Sequence, residues 1–321
     1  MPRTKQPKSS WRRVAGICFY GSVCLMCLGL GAFAGWINSS AIVRTVVLQS
    51  LQHTDPREAW GGKDSVTLLI LGCDEDRYYG GEQIIHHQAR SDMMLVAKLD
   101  FKNNRVTGVS IPRDTLAAPA GYRREKINAF HLLGGPDLSK AAVESLMPVQ
   151  IDRVVVLNYS AFQQMVDMVG GVKVNVPKAM DYDDNAGHLH IHLKPGLQLL
   201  DGSKAEDFVR FRHTDSDYMR QSRQKDFLLA FKRAVERRPG MLPEVAEKAR
   251  EVMGNSLSPD EIASLALFVK GVGTNEIKMG MIPTVAAGNF NLRVDKAKLP
   301  TVLRQFGLAD ETIPGAVSML R

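Results

Sequence analysis

The chain has 321 residues, 45% of them apolar and 23% charged, the composition of an ordinary globular protein with room for one large or two ordinary domains. Of its formal net charge of +7, five charges (Arg3, Lys5, Lys8, Arg12 and Arg13) fall in the first thirteen residues, leaving +2 for the rest. A body so close to neutral lacks the broad basic field of a duplex-binding surface, and with Cys73 as its single cysteine it cannot form an internal disulfide.

Behind the basic cluster, Val14 to Ile37 carries no charge, and none occurs before Arg44. A spanning helix needs roughly 20 apolar residues, so this run is long enough, and Trp11 and Trp36 flank it as interfacial anchors would. The basic residues 1–13 place the N-terminus in the cytoplasm and everything after 37 outside. A cleaved signal peptide is the competing reading. It would have a shorter apolar core, and "AFA" at 32–34 is the one cleavage-like site.

Residues 38–64 read as a polar connector, partly helical, ending in "WGGKD". From Ser65, "SVTLLILG" is a short continuous apolar run closed by Gly72, the mark of a buried strand. "MMLVAKLD" and "RVTGVSI", joined by "FKNN", read as a hairpin. "KINAFHLLGG" and "LSKAAVESLM" read as two helices, and "DRVVVLNY" as another buried strand. "SAFQQMVDMVGG" reads as a helix capped by Ser160 and stopped at Gly170-Gly171, followed by the strand "VKVNV". A long helix follows Gln224, "SPDEIASLALFVKGVG" opens with a capping box of Ser258 and Glu261, and "EIKMGMI" is a last strand. Residues 309–321 read as a mobile tail. Helices alternating with strands imply an α/β fold, a three-layer sandwich whose hairpin makes the central sheet mixed.

Three polar sites sit at strand ends: Asp74 after "LLILGC", Asp92 before "MMLV", and Arg113-Asp114 after "VSIP", where Pro112 pins the exit. Loops above a sheet's edge collect ligands, and carboxylates there suit a hard cation shared with phosphates. Singly, each is equally an ordinary turn or cap residue.

The stretch "FVRFRHTDSDYMRQSRQ" crowds Arg210, Arg212, Arg220 and Arg223 around Asp215 and Asp217. Asp217, Arg220 and Gln224 are spaced i, i+3, i+7 and share one helix face, whereas Arg223 falls off it and reads as solvated. Arg210 and Arg212 point the same way in extended chain and diverge in a helix. A salt-bridged helix start is the bland alternative. Arginine's planar fork, suited to bidentate contact with phosphate, favours an anion clamp. "HLHIH" puts His188, His190 and His192 on one face of a strand, a pattern that suits an ordinary amphipathic strand better than a zinc site.

Six stretches in order, "LLILGCDEDR", "ARSDMMLVAKLD", "VSIPRDT", "KINAFHLLGG", "VDMVGGVKVNV" and "PGLQLLDGSKAEDFVRFRHTDSDYMRQSRQ", resemble the LytR-CpsA-Psr family of cell-wall glycopolymer ligases. The resemblance covers Ser65 to Val235 and, more loosely, the chain to Gly307, within an exterior domain expected at 65–308. It implies a membrane-anchored phosphotransferase. The donor would be a polyprenyl-pyrophosphate-linked glycopolymer, its lipid in an apolar tunnel, and the acceptor the 6-hydroxyl of N-acetylmuramic acid in peptidoglycan. It implies Mg2+ at Asp74 and Asp92, a pyrophosphate held by Arg113, Arg210, Arg212, Arg220 and Gln224, and Asp217 orienting the arginines. Asp92, Arg113 and Arg212 would be catalytic, with Asp92 a candidate general base.

A pyrophosphatase or a lipid-binding protein without transfer would use the same residues. A membrane-bound transcriptional attenuator has too little chain before the span for a folded DNA-binding module, and no nucleic acid is expected as a partner. The chain departs from the family in "EDRYYGGEQIIHHQAR", a longer link between Asp74 and Asp92 that makes Asp76 an alternative metal position. This loop is expected to shape acceptor or polymer specificity. Deleting Tyr78–His87 should change which acceptors are used, and undiminished transfer to every acceptor tested would remove the loop from specificity.

Overall fold

The computed structural model describes residues 40–309, except 53, 74–75, 80–81, 86–88, 185–188, 212–216 and 254–255, together with positions 26, 29, 32, 35 and 36; the side chains of 51, 76–79, 82–85, 184, 189, 217, 218, 220, 221, 239, 252 and 253 are likewise outside the description. The expected span and the C-terminal tail therefore lie almost wholly outside the described residues. Among those described, no helix is long and apolar enough to cross a membrane.

Five strands form the central sheet: β1 (Ser65–Cys73), β2 (Ser91–Asp100), β3 (Arg105–Ser110), β4 (Arg153–Asn158) and β5 (Ile277–Met281), in the order β5-β3-β2-β1-β4. β1 and β4 are parallel, as are β3 and β5, while β2 runs antiparallel to both its neighbours, so the sheet is mixed as expected. The hairpin turn is held by Asp100, which accepts from the backbone N–H and side-chain amide of Asn103, and Asn104 takes a positive φ of 49°, which asparagine tolerates.

Side-chain alternation in β1 divides the core. Leu69 and Leu71 face one side, with Met94 and Val96 of β2, against helices α2 (Ala129–Leu146) and α8 (Leu299–Gln305). Leu68 and Ile70 face the other. That side is covered by α1 (Ala41–Gln52), α3 (Tyr159–Met168), α5 (Asp217–Glu236), α6 (Leu242–Met253) and α7 (Pro259–Gly271). Phe130 of α2 is fully buried, which by area contributes about 1.5–3 kcal/mol.

Two details differ from expectation. The stretch 38–64 is more than a connector: α1 buries Ile42, Val43 and Val46 against α6 and α7, so the folded body reaches back to Ser40. The cap of α3 is Asn158, whose side chain accepts from the Ala161 N–H, and Ser160 lies inside the first turn. "VKVNV" is a strand as expected, and it pairs with Gly196–Leu200 in a two-stranded ribbon outside the main sheet. The two helices expected across 126–147 are present as the halves of α2, parted at Gly135, whose φ of 66° and ψ of −155° suit glycine alone, before Pro136 restarts the helix.

A second ribbon pairs Met180–Asp184 with Leu189–Leu193. One face buries Met180, Ile191 and Leu193, while the other sets His192 opposite Asp181 and His190 opposite Asp183. Nδ1 of His192 is 2.5 Å from Asp181 and Nδ1 of His190 is 2.7 Å from Asp183. His188 is outside the described residues, and among those described no group of three metal-ligating side chains occurs.

The hydrogen bond to Asp181 holds the His192 imidazole above its ordinary pKa, and the one from His190 holds Asp183 below its own. A raised imidazole stabilises the ribbon fully below its unfolded value and loses that contribution as pH rises through the folded one. A lowered carboxylate contributes above its unfolded value and loses it as pH falls through the folded one. Amide hydrogen exchange over 180–193 should therefore be slowest relative to intrinsic rates at mildly acidic pH, roughly pH 5–6, with His192→Gln abolishing the loss on the alkaline side.

Candidate active site

The strand registers bring the ends of β1, β3, β4 and β5 and the start of β2 to one edge of the sheet. There the ladder slips: Gly72 pairs with Met93 but Cys73 pairs with Ser91, leaving Asp92 as an extra, unpaired residue. Neighbours in a regular strand point to opposite faces, yet Asp92 and Met93 both line the same cavity. The bulge makes this possible by turning the carboxylate onto the face it would otherwise avoid.

Arg113, just past β3, donates from Nη1 to Asp92 Oδ1 at 2.6 Å, with each side chain 33% exposed. The exit of β3 is held by backbone bonds from Ile111 N to Met94 O and from Thr115 N to Pro112 O. Asp114 turns to Lys126 at 2.6 Å. Nε of Arg113 is buried and has no hydrogen-bond acceptor among the described residues.

Arg210 closes the last turn of α4 (Gly202–Arg210). Nη1 donates to Glu206 Oε1 one turn earlier at 2.5 Å, and the guanidinium lies 4.2 Å from the Tyr159 ring centroid. Glu206, 8% exposed, also accepts from Gln163 of α3. Gly202 lets α4 approach α3 this closely, since a Cβ there would meet the Gln163 carbonyl oxygen at 2.5 Å.

Arg223 corrects the reading that left it in solvent. It is 3% exposed, donates from Nε to Phe208 O at 3.1 Å and from Nη2 to Phe211 O, and lies over the Phe211 ring. It thus supplies donors to carbonyls at the C-terminal end of α4 that the helix leaves open. Burial pushes its pKa down to about 10, so it remains charged at neutral pH.

These elements enclose a cavity of about 660 Å3. Its floor is Ile70, Leu95, Leu157 and Met279 of the sheet; its cover is Phe162 of α3 with Phe227, Leu228 and Phe231 of α5; and Tyr182 and Ile191 of the histidine ribbon close one wall. Asp92, Arg113, Arg210, Gln224 and Lys225 line it as well. Of the residues expected from sequence, Asp92, Arg113, Arg210 and Gln224 are therefore gathered around one space. Asp74 and Arg212 lie outside the described residues, as do the side chains of Asp76, Asp217 and Arg220, although α5 does start at Asp217.

Tyr159, Glu206 and Lys225 were not singled out from sequence. The i, i+4 spacing of Glu206 and Arg210 was the available signal for one of them. Cys73 is a buried thiol packed 3.6 Å from Nδ1 of the His131 ring.

The model of the LytR_cpsA_psr family matches residues 40–305. The chain belongs to the LytR-CpsA-Psr family. It is 32% identical over 232 residues to the polyisoprenyl-teichoic acid–peptidoglycan teichoic acid transferase TagT of Bacillus subtilis, covering 71% of each chain. Among solved structures it resembles B. subtilis TagV, with a TM-score of 0.61 at 26% identity over 80% of this chain and 98% of that one. It also resembles TagT bound to LIIa-WTA, with a TM-score of 0.58 at 26% identity over 79% and 91% of the two chains. The family match begins where the described body begins, at residue 40, in accord with the packing of α1.

Arg223 joins α5 to the end of α4 and so holds the helix end that presents Arg210. Arg223→Met should strand two carbonyl oxygens and cost about 2–4 kcal/mol in denaturant unfolding.

Proposed function

We propose that this protein is a membrane-anchored phosphotransferase that moves a glycopolymer from a polyprenyl-pyrophosphate carrier onto peptidoglycan. The observation that carries this reading is the cavity: apolar along the sheet and helices α3 and α5, and furnished at the sheet's edge with the Asp92–Arg113 pair and Arg210. A lipid with an anionic head matches both parts of such a space. Membership of a family whose relative TagT is a teichoic acid transferase, and the likeness to TagT bound to LIIa-WTA, support it further.

In this reading the prenyl chain lies against Phe162, Phe227 and Phe231, and the pyrophosphate meets Arg113 and Arg210. Arg212, Arg220 and Gln224 complete the clamp, with Asp217 orienting them. Low exposure strengthens the contacts of Arg113 and Arg210, and guanidinium groups held in place beforehand need little reorganisation as charge shifts. The acceptor hydroxyl attacks the phosphorus that carries the glycan, the bridging P–O bond breaks, and its electron pair leaves with the lipid phosphate. The hydroxyl proton passes to a solvent base or to Asp92.

Asp92 fits a role at magnesium, because Arg113 occupies Oδ1 and Oδ2 carries no protein hydrogen bond among the described residues. Asp74 follows Cys73, the strand partner of Ser91, and is the second oxygen donor we propose. A donor set this small suits magnesium, which keeps waters and shares phosphate oxygens; when bound it would neutralise phosphate charge. The span Val14–Ile37 would anchor the chain with the basic N-terminus in the cytoplasm and the body outside.

Full-length protein supplied with a lipid-pyrophosphate-linked polymer and peptidoglycan fragments should place polymer on the fragments. Release of free phosphorylated polymer alone would make it a hydrolase. In the same assay Arg113→Lys, which keeps the charge and loses the planar fork, should lower the transfer rate by about 10- to 100-fold, and an unchanged rate would count against the clamp.

A further inference from the structure

Lys225 follows Gln224 on α5, lines the cavity and is half-buried. The other buried or half-buried lysines among the described residues are engaged. Lys126 reaches Asp114, Lys232 reaches Glu236 and Lys248 reaches Glu251. Lys98 and Lys140 donate to the carbonyls of Gly307 and Ile151, and Lys178 also has an interaction. Lys225 alone of this set has no hydrogen bond or ion pair to a protein group among the described residues. A lysine on the cavity wall without a protein partner among the described residues is placed to meet an anion supplied by something else.

Its position says which anion. Lys225 stands on α5 between Gln224 and the apolar residues Phe227, Leu228 and Phe231, which line the cavity further along the same helix. That is where a lipid chain would join its phosphate. We propose that Lys225 contacts the phosphate next to the lipid, the one that departs as polyprenyl phosphate. The inference rests on the ligand reading above and adds a residue and a division of labour to it.

When the bridging P–O bond breaks, the electron pair stays on the lipid phosphate, which becomes more negative, while the acceptor's proton leaves to base. Lys225, a point charge with three donors, meets that growing charge. Arg113 and Arg210 meet the glycan-side phosphate that stays with the polymer.

The test uses the full chain in detergent micelles with two probes, polyprenyl monophosphate and neutral polyprenol, read by direct binding so that no transfer is needed. Wild-type protein should bind the monophosphate far more tightly than the alcohol. Lys225→Met keeps the apolar stem and removes the charge. It should weaken monophosphate binding by about 10-fold or more and leave polyprenol binding as it was, which also reports that the variant is folded. Lys225→Arg should recover most of the loss. A Lys225→Met variant that binds the monophosphate within about twofold of wild type would remove Lys225 from the site and leave the transferase reading standing. Wild-type protein that does not distinguish the two probes would overturn both.

Discussion

The Arg113–Asp92 ion pair, 2.6 Å long and two-thirds withdrawn from water on each side, is the contact on which the polar edge of the cavity depends. A guanidinium beside an apolar space has to be held before a ligand arrives, or its desolvation is uncompensated and its position undefined. The pair exists because the slip between β1 and β2 turns Asp92 onto the cavity face, opposite the exit of β3. A regular ladder would have sent that carboxylate to the other side of the sheet, and Arg113 would face the cavity without it.

The same constraint governs the second arginine and its support. Arg210 is held by a nearly buried Glu206 and by the face of Tyr159, and Glu206 is in turn held by Gln163. One turn's geometry on α4 and the close approach to α3 at Gly202 bring these groups together. Arg223 then secures the end of α4 from the neighbouring helix, using backbone carbonyls as its partners. Three arginines thus draw on three kinds of partner: a carboxylate across a bulge, a carboxylate one turn back, and carbonyls at a helix end. The first two leave guanidinium N–H groups unused by those contacts, whereas Arg223 is committed to holding the frame.

The central strands were legible because each reads as a short apolar run with β-branched residues between turn signals, and the hairpin because "FKNN" closes it. The capping box of α7 was legible for a local reason: Ser258 and Glu261 reach each other within one turn. The cap of α3 was displaced by two residues because two polar side chains, Asn158 and Ser160, compete near the same strand end, and the one with extended backbone takes the position. α1 was read as connector although seven of its twelve residues are apolar, because nothing local shows that α6 and α7 cover them. Asp92, Arg113, Arg210 and Gln224 could be named from sequence, yet only as separate strand-end and helix-face residues. Arg223 was misjudged because helical spacing says which residues share a face and nothing about what lies against the other one.

By itself the sequence determined the α/β alternation, the mixed sheet, the family and the chemical types gathered at the site, because these depend on period, turn chemistry and motif order along the chain. Tertiary structure alone decided which face Asp92 takes, that Tyr159 lies against Arg210, that Arg223 is buried, and that Lys225 stands half-buried in the cavity without a protein partner among the described residues. Each of these turns on a register slip or on the approach of elements distant in sequence. Such contacts are set by packing between surfaces, which no local spacing rule contains.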